Sequence, residues 1–158
     1  MQCPDGETDR HAAAARKLFM AYNPHLSRDR AEYYGRCVAE VSKSLQVDPS
    51  LVAALIVKES AAKENASTKY AHGLMQIYWK LWKPVLAKKW GIQTVEQLIE
   101  PRNNIMAGTW ILKGYLERSK GDVTKALKRY LGSNGNNYVA RIMDYRKRYL
   151  SFLTGSAA

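Results

Sequence analysis

A single carboxylate, Glu59, closes the most apolar stretch of the chain, Asp48-Pro49-Ser50-Leu51-Val52-Ala53-Ala54-Leu55-Ile56-Val57-Lys58-Glu59-Ser60. Asp48 reads as an N-cap and Pro49 as the first helical residue, which sets the phase of the helix from its start. In that phase Glu59 follows Ile56 by three residues, Leu55 by four and Val52 by seven, so it shares a face with apolar side chains. A carboxylate so placed loses part of its water, which disfavours the charged form and raises the pKa. A carboxylic acid still protonated near neutrality can donate a proton to a leaving group, the service required of the acid that breaks a glycosidic bond. Taken alone, Glu59 has an ordinary alternative: a solvated helix end paired with Lys63, four residues on.

The segments that follow weigh against that alternative. Thirteen residues after Ser60 comes Gly73-Leu74-Met75-Gln76-Ile77, behind a polar loop over 63–72 with little helical character. Asn104-Ile105 with Gly108, Tyr130-Leu131-Gly132 and Tyr138-Val139 come later. In this order the pieces resemble the catalytic domain of the soluble lytic transglycosylases, lysozyme-like enzymes that cut bacterial peptidoglycan. The resemblance runs from about Val47 to about Tyr149. One motif departs from the family pattern. The family usually shows Ala-Tyr-Asn where this chain has Arg129-Tyr130-Leu131, so the amide is missing or is supplied by Asn134, Asn136 or Asn137.

The resemblance implies roles for these residues. Glu59 would be the catalytic acid and then the base, working without a second carboxylate and without a cofactor or metal. It would protonate the oxygen between MurNAc and GlcNAc, then take the proton of the MurNAc C6 hydroxyl as that oxygen closes a 1,6-anhydro ring. Ser60 would bond the Glu59 carboxylate or the adjacent sugar, Gly73 would allow close backbone approach, and Met75 and Gln76 would border the cleft, Gln76 offering amide donors. Tyr130 would bond Glu59 and hold its rotamer, and Asn137 and Tyr138 would line the glycan groove; apart from the resemblance, Tyr70 and Tyr78 flank the cleft segment and are the candidates to stack on sugar faces. Asn104 and Gly108 would pack a helix behind the site. A hydrolytic lysozyme on the same fold would use water in place of the C6 hydroxyl and would require a partner carboxylate about 5 to 9.5 Å from Glu59. Glu64 and Asp144 are the candidates, both in settings that suit surface ion pairs.

The elements that must position these residues are almost all helical. The expected helices are Thr8 to Tyr22, Arg28 to Gln46, Asp48 to Ala62, a helix from about Pro84 to Trp90, a short one capped by Thr94 and Gln97, Asn103 to Ser119, Val123 to Tyr130 and Asn137 to Leu153. The Asp48 helix is apolar nearly all the way round, as befits a helix surrounded by others. With no period-two strand pattern beyond a small hairpin around 63 to 77, the expected fold is all-α and lysozyme-like, of the goose-type or lytic transglycosylase kind, around a central buried helix. Residues 1–46 form an N-terminal helical segment packed on or preceding the core, 47–153 the catalytic domain and 154–158 a tail. The four tryptophans fall at helical spacings and are expected to pack.

Twenty-five Lys and Arg against fourteen Asp and Glu leave a net charge of +11 over 158 residues, which favours an anionic partner. Peptidoglycan glycan strands, with their stem carboxylates, fit; a secretion-machine, phage-tail or envelope assembly partner is compatible. Arg141, Arg146, Lys147 and Arg148 with Tyr145 and Tyr149 could contact phosphates, but no nucleic-acid fold signature accompanies them. A non-catalytic wall-binding or assembly protein is a further reading. Cys3 and Cys37 suit a disulfide in an oxidising compartment, a lipid attached at Cys3, or two free thiols, and no metal motif. No membrane-spanning run and no secretory signal is visible, so the expected location is the cell envelope or a phage-delivered one.

Overall fold

In the computed structural model, which describes residues 5–155, Asp48 accepts a hydrogen bond from the Ser50 backbone N–H and opens helix α3, Pro49–Ser60, as its sequence predicts. Every residue from Ser50 to Val57 is buried, so α3 is enclosed on all sides. Ahead of it lie α1, Gly6–Tyr22, and α2, Arg28–Leu45. Behind it come a two-stranded sheet of β1, Ala71–His72, and β2, Ile77–Tyr78, then α4, Trp79–Trp90, α5, Val95–Ile99, α6, Pro101–Arg118, α7, Val123–Leu131, and α8, Asn136–Thr154. The fold is all-α with one small hairpin.

Two ends of α3 are fixed by one helix. Arg146 of α8 reaches Asp48 at 2.6 Å and Ser50 Oγ at 2.9 Å, while Tyr138, two turns nearer the start of α8, meets Glu59. Helices α3 and α8 are therefore antiparallel neighbours. Buried Tyr138, Val139, Ile142 and Tyr149 of α8 close one side of α3.

The N-terminal helices share the same core. Leu18 and Phe19 of α1 and Tyr34, Cys37 and Val38 of α2 belong to one apolar cluster with Leu51 to Val57. Gly35 lets α1 and α2 approach closely, since a Cβ there would sit 2.4 Å from the Ala12 carbonyl oxygen. Burial pushes the Cys37 thiol up to about 11. Cys3 lies outside the described residues, and with it the expected Cys3–Cys37 pair or lipid attachment; residues 156–158 of the tail also lie outside them.

A second apolar cluster joins Ile77, Leu86, Ile92, Leu98, Ala107 and Ile111, with Trp79, Trp82, Trp90 and Trp110 half-buried against it. The tryptophans pack on one another edge to face, Trp110 lying 6.0 Å from Trp82 and 5.6 Å from Trp90. Helix α4 begins at Trp79, five residues before the expected start at Pro84. Pro84 cannot donate to the carbonyl one turn back, and on the outer side of α4 water can serve that group instead. Among the described residues no helix is long and apolar enough to cross a membrane.

Candidate active site

Glu59 is the penultimate residue of α3 and is mostly buried. Loss of water raises its pKa above the usual carboxylate value; a hydrogen bond from Tyr138 and the charge of Lys58 pull the other way and do not reverse the shift. The negative end of the α3 dipole acts in the same direction as burial. Tyr138, itself 7% exposed, donates its hydroxyl hydrogen to Glu59 Oε1, and its own pKa is driven far up by burial and by the neighbouring carboxylate. Lys58 covers the Tyr138 ring at 5.3 Å. The solvated pairing of Glu59 with Lys63 is not what the structure contains.

Tyr130 does not hold Glu59. Its hydroxyl donates to the Met75 carbonyl at 2.7 Å, and the side chain that bonds the acid is Tyr138, one helix later. The reason is register: α8 runs back along α3, which brings its first turn, not the end of α7, onto the Glu59 carboxylate. Tyr130 remains close enough for the Glu59 charge to help raise its pKa, after burial. The hydrogen bond to Met75 makes Tyr130 a prop for the Gly73 segment.

That segment is held from inside. Ser60 is buried, and its hydroxyl donates to Ile56 and Leu74 carbonyls at 3.0 and 2.7 Å, not to Glu59. Met75 is fully buried against Gly108, where a Cβ would come within 2.5 Å of its sulfur, so it fills the core and does not border a cleft. Both amide hydrogens of Gln76 go to backbone carbonyls, Ala66 at 2.8 Å and Gly73 at 2.9 Å, which leaves no amide donor for a sugar. Gly73 has φ +87°, and a Cβ there would strike the Asn104 amide. Asn104, wholly buried, accepts from the Met75 N–H at 2.8 Å and donates to the His72 and Leu98 carbonyls at 3.1 and 3.0 Å. Its expected packing role is met, with hydrogen bonds added.

The outward residues are fewer. Tyr70 is half exposed and stacks on Tyr78 with ring centroids 5.6 Å apart, while Asn137 is exposed in the first turn of α8. Leu131 lies against Gly135, and Asn134 and Asn136 are exposed.

The other two carboxylates weighed in the sequence are placed differently. Glu64 is engaged by Arg30 and by the Tyr34 hydroxyl, 2.6 Å away, and Asp144 is exposed on α8. The basic residues of α8 serve the fold as well: Arg146 pairs with Asp48, and Arg148 lies over the rings of Tyr22 and Phe152.

One support was not foreseen. Ala61 and Ala62, directly after the Glu59-Ser60 pair, both have left-handed backbone, φ +51° and +57°. Buried Asn23, which follows α1, donates to the Ala62 carbonyl at 3.1 Å and so fixes this turn. Asn23-Pro24 read only as a helix stop, and nothing local in the sequence ties it to a residue thirty-nine positions later.

A family model described as the transglycosylase SLT domain matches residues 36–150. Its start lies within α2, ahead of the Val47 at which the motif resemblance begins, and it takes in α3, the hairpin and α4 to α7, with most of α8. With a desolvated carboxylate at the end of the enclosed helix and a match over more than half of the sequence, the chain belongs to the transglycosylase SLT domain family, which acts on peptidoglycan.

Proposed function

We propose that the protein cleaves the β-1,4 bond between MurNAc and GlcNAc as a lytic transglycosylase with Glu59 as its only acid and base. The observation that carries this reading is the setting of Glu59: burial favours its protonated form, while the Tyr138 hydroxyl is ready to stabilise the carboxylate once the proton has left. In the first step the bond between the MurNAc anomeric carbon and the GlcNAc O4 breaks, and the Glu59 proton passes to O4. The substrate N-acetyl group supports the positive charge at the anomeric carbon. In the second step the MurNAc O6 bonds to that carbon and its proton returns to Glu59. No water is consumed.

Engagement of Glu64 by Arg30 and Tyr34 favours this route over one that uses Glu64 as a second catalytic carboxylate. Half-exposed Tyr70 offers aromatic surface to a pyranose, and exposed Asn137 a polar edge to the glycan. The wild-type protein and Glu59→Gln, incubated with peptidoglycan sacculi, are compared by mass spectrometry of the soluble products. Wild type is expected to release fragments ending in 1,6-anhydroMurNAc and the variant none. Reducing-end MurNAc, heavier by one water, would instead make the enzyme a hydrolase.

A further inference from the structure

Helix α4 breaks the usual pattern of a surface helix, which puts apolar residues inward and polar residues outward. Its inner side is satisfied by buried Leu86 and by Trp79, Trp82 and Trp90. Yet Leu81 is 60% exposed and Val85, one turn on, 39%, with exposed Pro84 between them. Exposed Tyr78, three residues before Leu81, extends the stripe at helical spacing. Such a stripe in water is unfavourable unless something covers it.

The charges around the stripe are of one sign. From Asn65 to Val95 the chain contains five lysines, Lys69, Lys80, Lys83, Lys88 and Lys89, and no Asp or Glu. Lys80 and Lys88 are exposed on the same outer side of α4 as Leu81, Pro84 and Val85. Lys83 lies over the Trp79 ring at 5.7 Å, and Lys89 over Trp90 and Trp110 at 5.3 and 5.2 Å. An apolar stripe with Lys80 and Lys88 beside it and exposed Tyr78 at one end matches the boundary between lipid headgroups and acyl chains. A glycan would call for aromatic faces and hydrogen-bond partners, and the centre of this stripe is aliphatic.

We propose that the outer face of α4, centred on Leu81 and Val85 and flanked by Lys80 and Lys88, docks the protein onto an anionic phospholipid surface. Aliphatic side chains enter the headgroup boundary and the lysines meet phosphates. This docking is independent of the reaction assigned to Glu59.

The test is flotation of the full chain with vesicles of phosphatidylcholine and phosphatidylglycerol at three to one, against vesicles of phosphatidylcholine alone. Wild type is expected to float with the anionic vesicles, less so with neutral ones and less at high salt. Leu81→Asp/Val85→Asp is expected to lower partitioning at least tenfold, and Lys80→Glu/Lys88→Glu to lower it comparably, with solubilised glycan strands bound as before. Both pairs are exposed, and near-ultraviolet circular dichroism reports whether each variant is folded. Leu150→Asp, on an exposed position of α8, should change nothing. The proposal is overturned if wild type ignores anionic vesicles, if it floats equally with both α4 variants, or if the variants lose glycan binding while vesicle binding is untouched.

Discussion

The Tyr138 hydroxyl donates to Glu59 Oε1 across the antiparallel contact of α8 with α3, so the first turn of one helix and the last turn of the other form a single acid site. The bond is stronger to a carboxylate than to a carboxylic acid. It therefore gains strength as Glu59 gives up its proton, which is when the proposed mechanism requires it.

Tyr138→Phe keeps the ring and removes the donor. A hydrogen bond to a charged group contributes about 1.5–3 kcal/mol, so kcat/KM is expected to fall on the order of 10- to 100-fold, with kcat affected more than KM. Because the bond lowers the Glu59 pKa, the alkaline limb of the rate profile should move to higher pH in the variant. A profile that stays in place would mean that Tyr138 only fills space.

Glu59→Gln tests the desolvation of the acid through stability. The folded chain holds the Glu59 proton more tightly than the unfolded chain, whose ordinary value is 4.5. That contribution is complete below the unfolded value and is lost as pH rises through the raised folded one. Wild type should therefore weaken relative to Glu59→Gln as pH rises above 4.5, until Glu59 is ionised in the folded chain too, after which the gap stays constant. Denaturant midpoints of both proteins across that window measure it.

Asn104→Ala removes three hydrogen bonds in a fully buried setting and leaves the Met75 N–H without its acceptor. An expected loss of about 2–3 kcal/mol is readable in urea unfolding. Asn104→Asp should retain the bond from Met75 but lose both donations, and should not restore the wild-type value.

Asn23→Ala deprives the Ala62 carbonyl of a buried donor and releases a turn made of two left-handed alanines. Roughly 1–2 kcal/mol of stability should go. The sharper readout is kcat, which under the proposed mechanism should drop with KM little changed, because the turn directly follows Glu59-Ser60 in the chain.

What the sequence made legible was chiefly what neighbouring residues decide. Asp48 and Pro49 start α3, Thr94 caps α5 through the Gln97 N–H, and the unbroken apolar run to Val57 marks an enclosed helix. Motif order located Glu59 and the Asn104 support. Side-chain partners were less accessible, because they depend on how helices are paired in space. Tyr130 and Tyr138 are eight residues apart on either side of a turn, and only the direction of α8 along α3 decides which reaches Glu59. Ser60, Met75 and Gln76 support the Gly73 segment from within, a role that spacing cannot separate from contact with a sugar.

The Asn23 hydrogen bond to Ala62 also bears on where this catalytic unit can be cut. The matching family segment starts at residue 36, whereas Asn23, Arg30 and Tyr34, which hold Ala62 and Glu64, all precede it. A fragment beginning at residue 36 would carry the acid, its tyrosine and the whole hairpin, yet would lack the groups that fix the chain immediately after the acid. Modular transplantation of this enzyme into a fusion protein therefore requires α1 and α2 to travel with the catalytic helices.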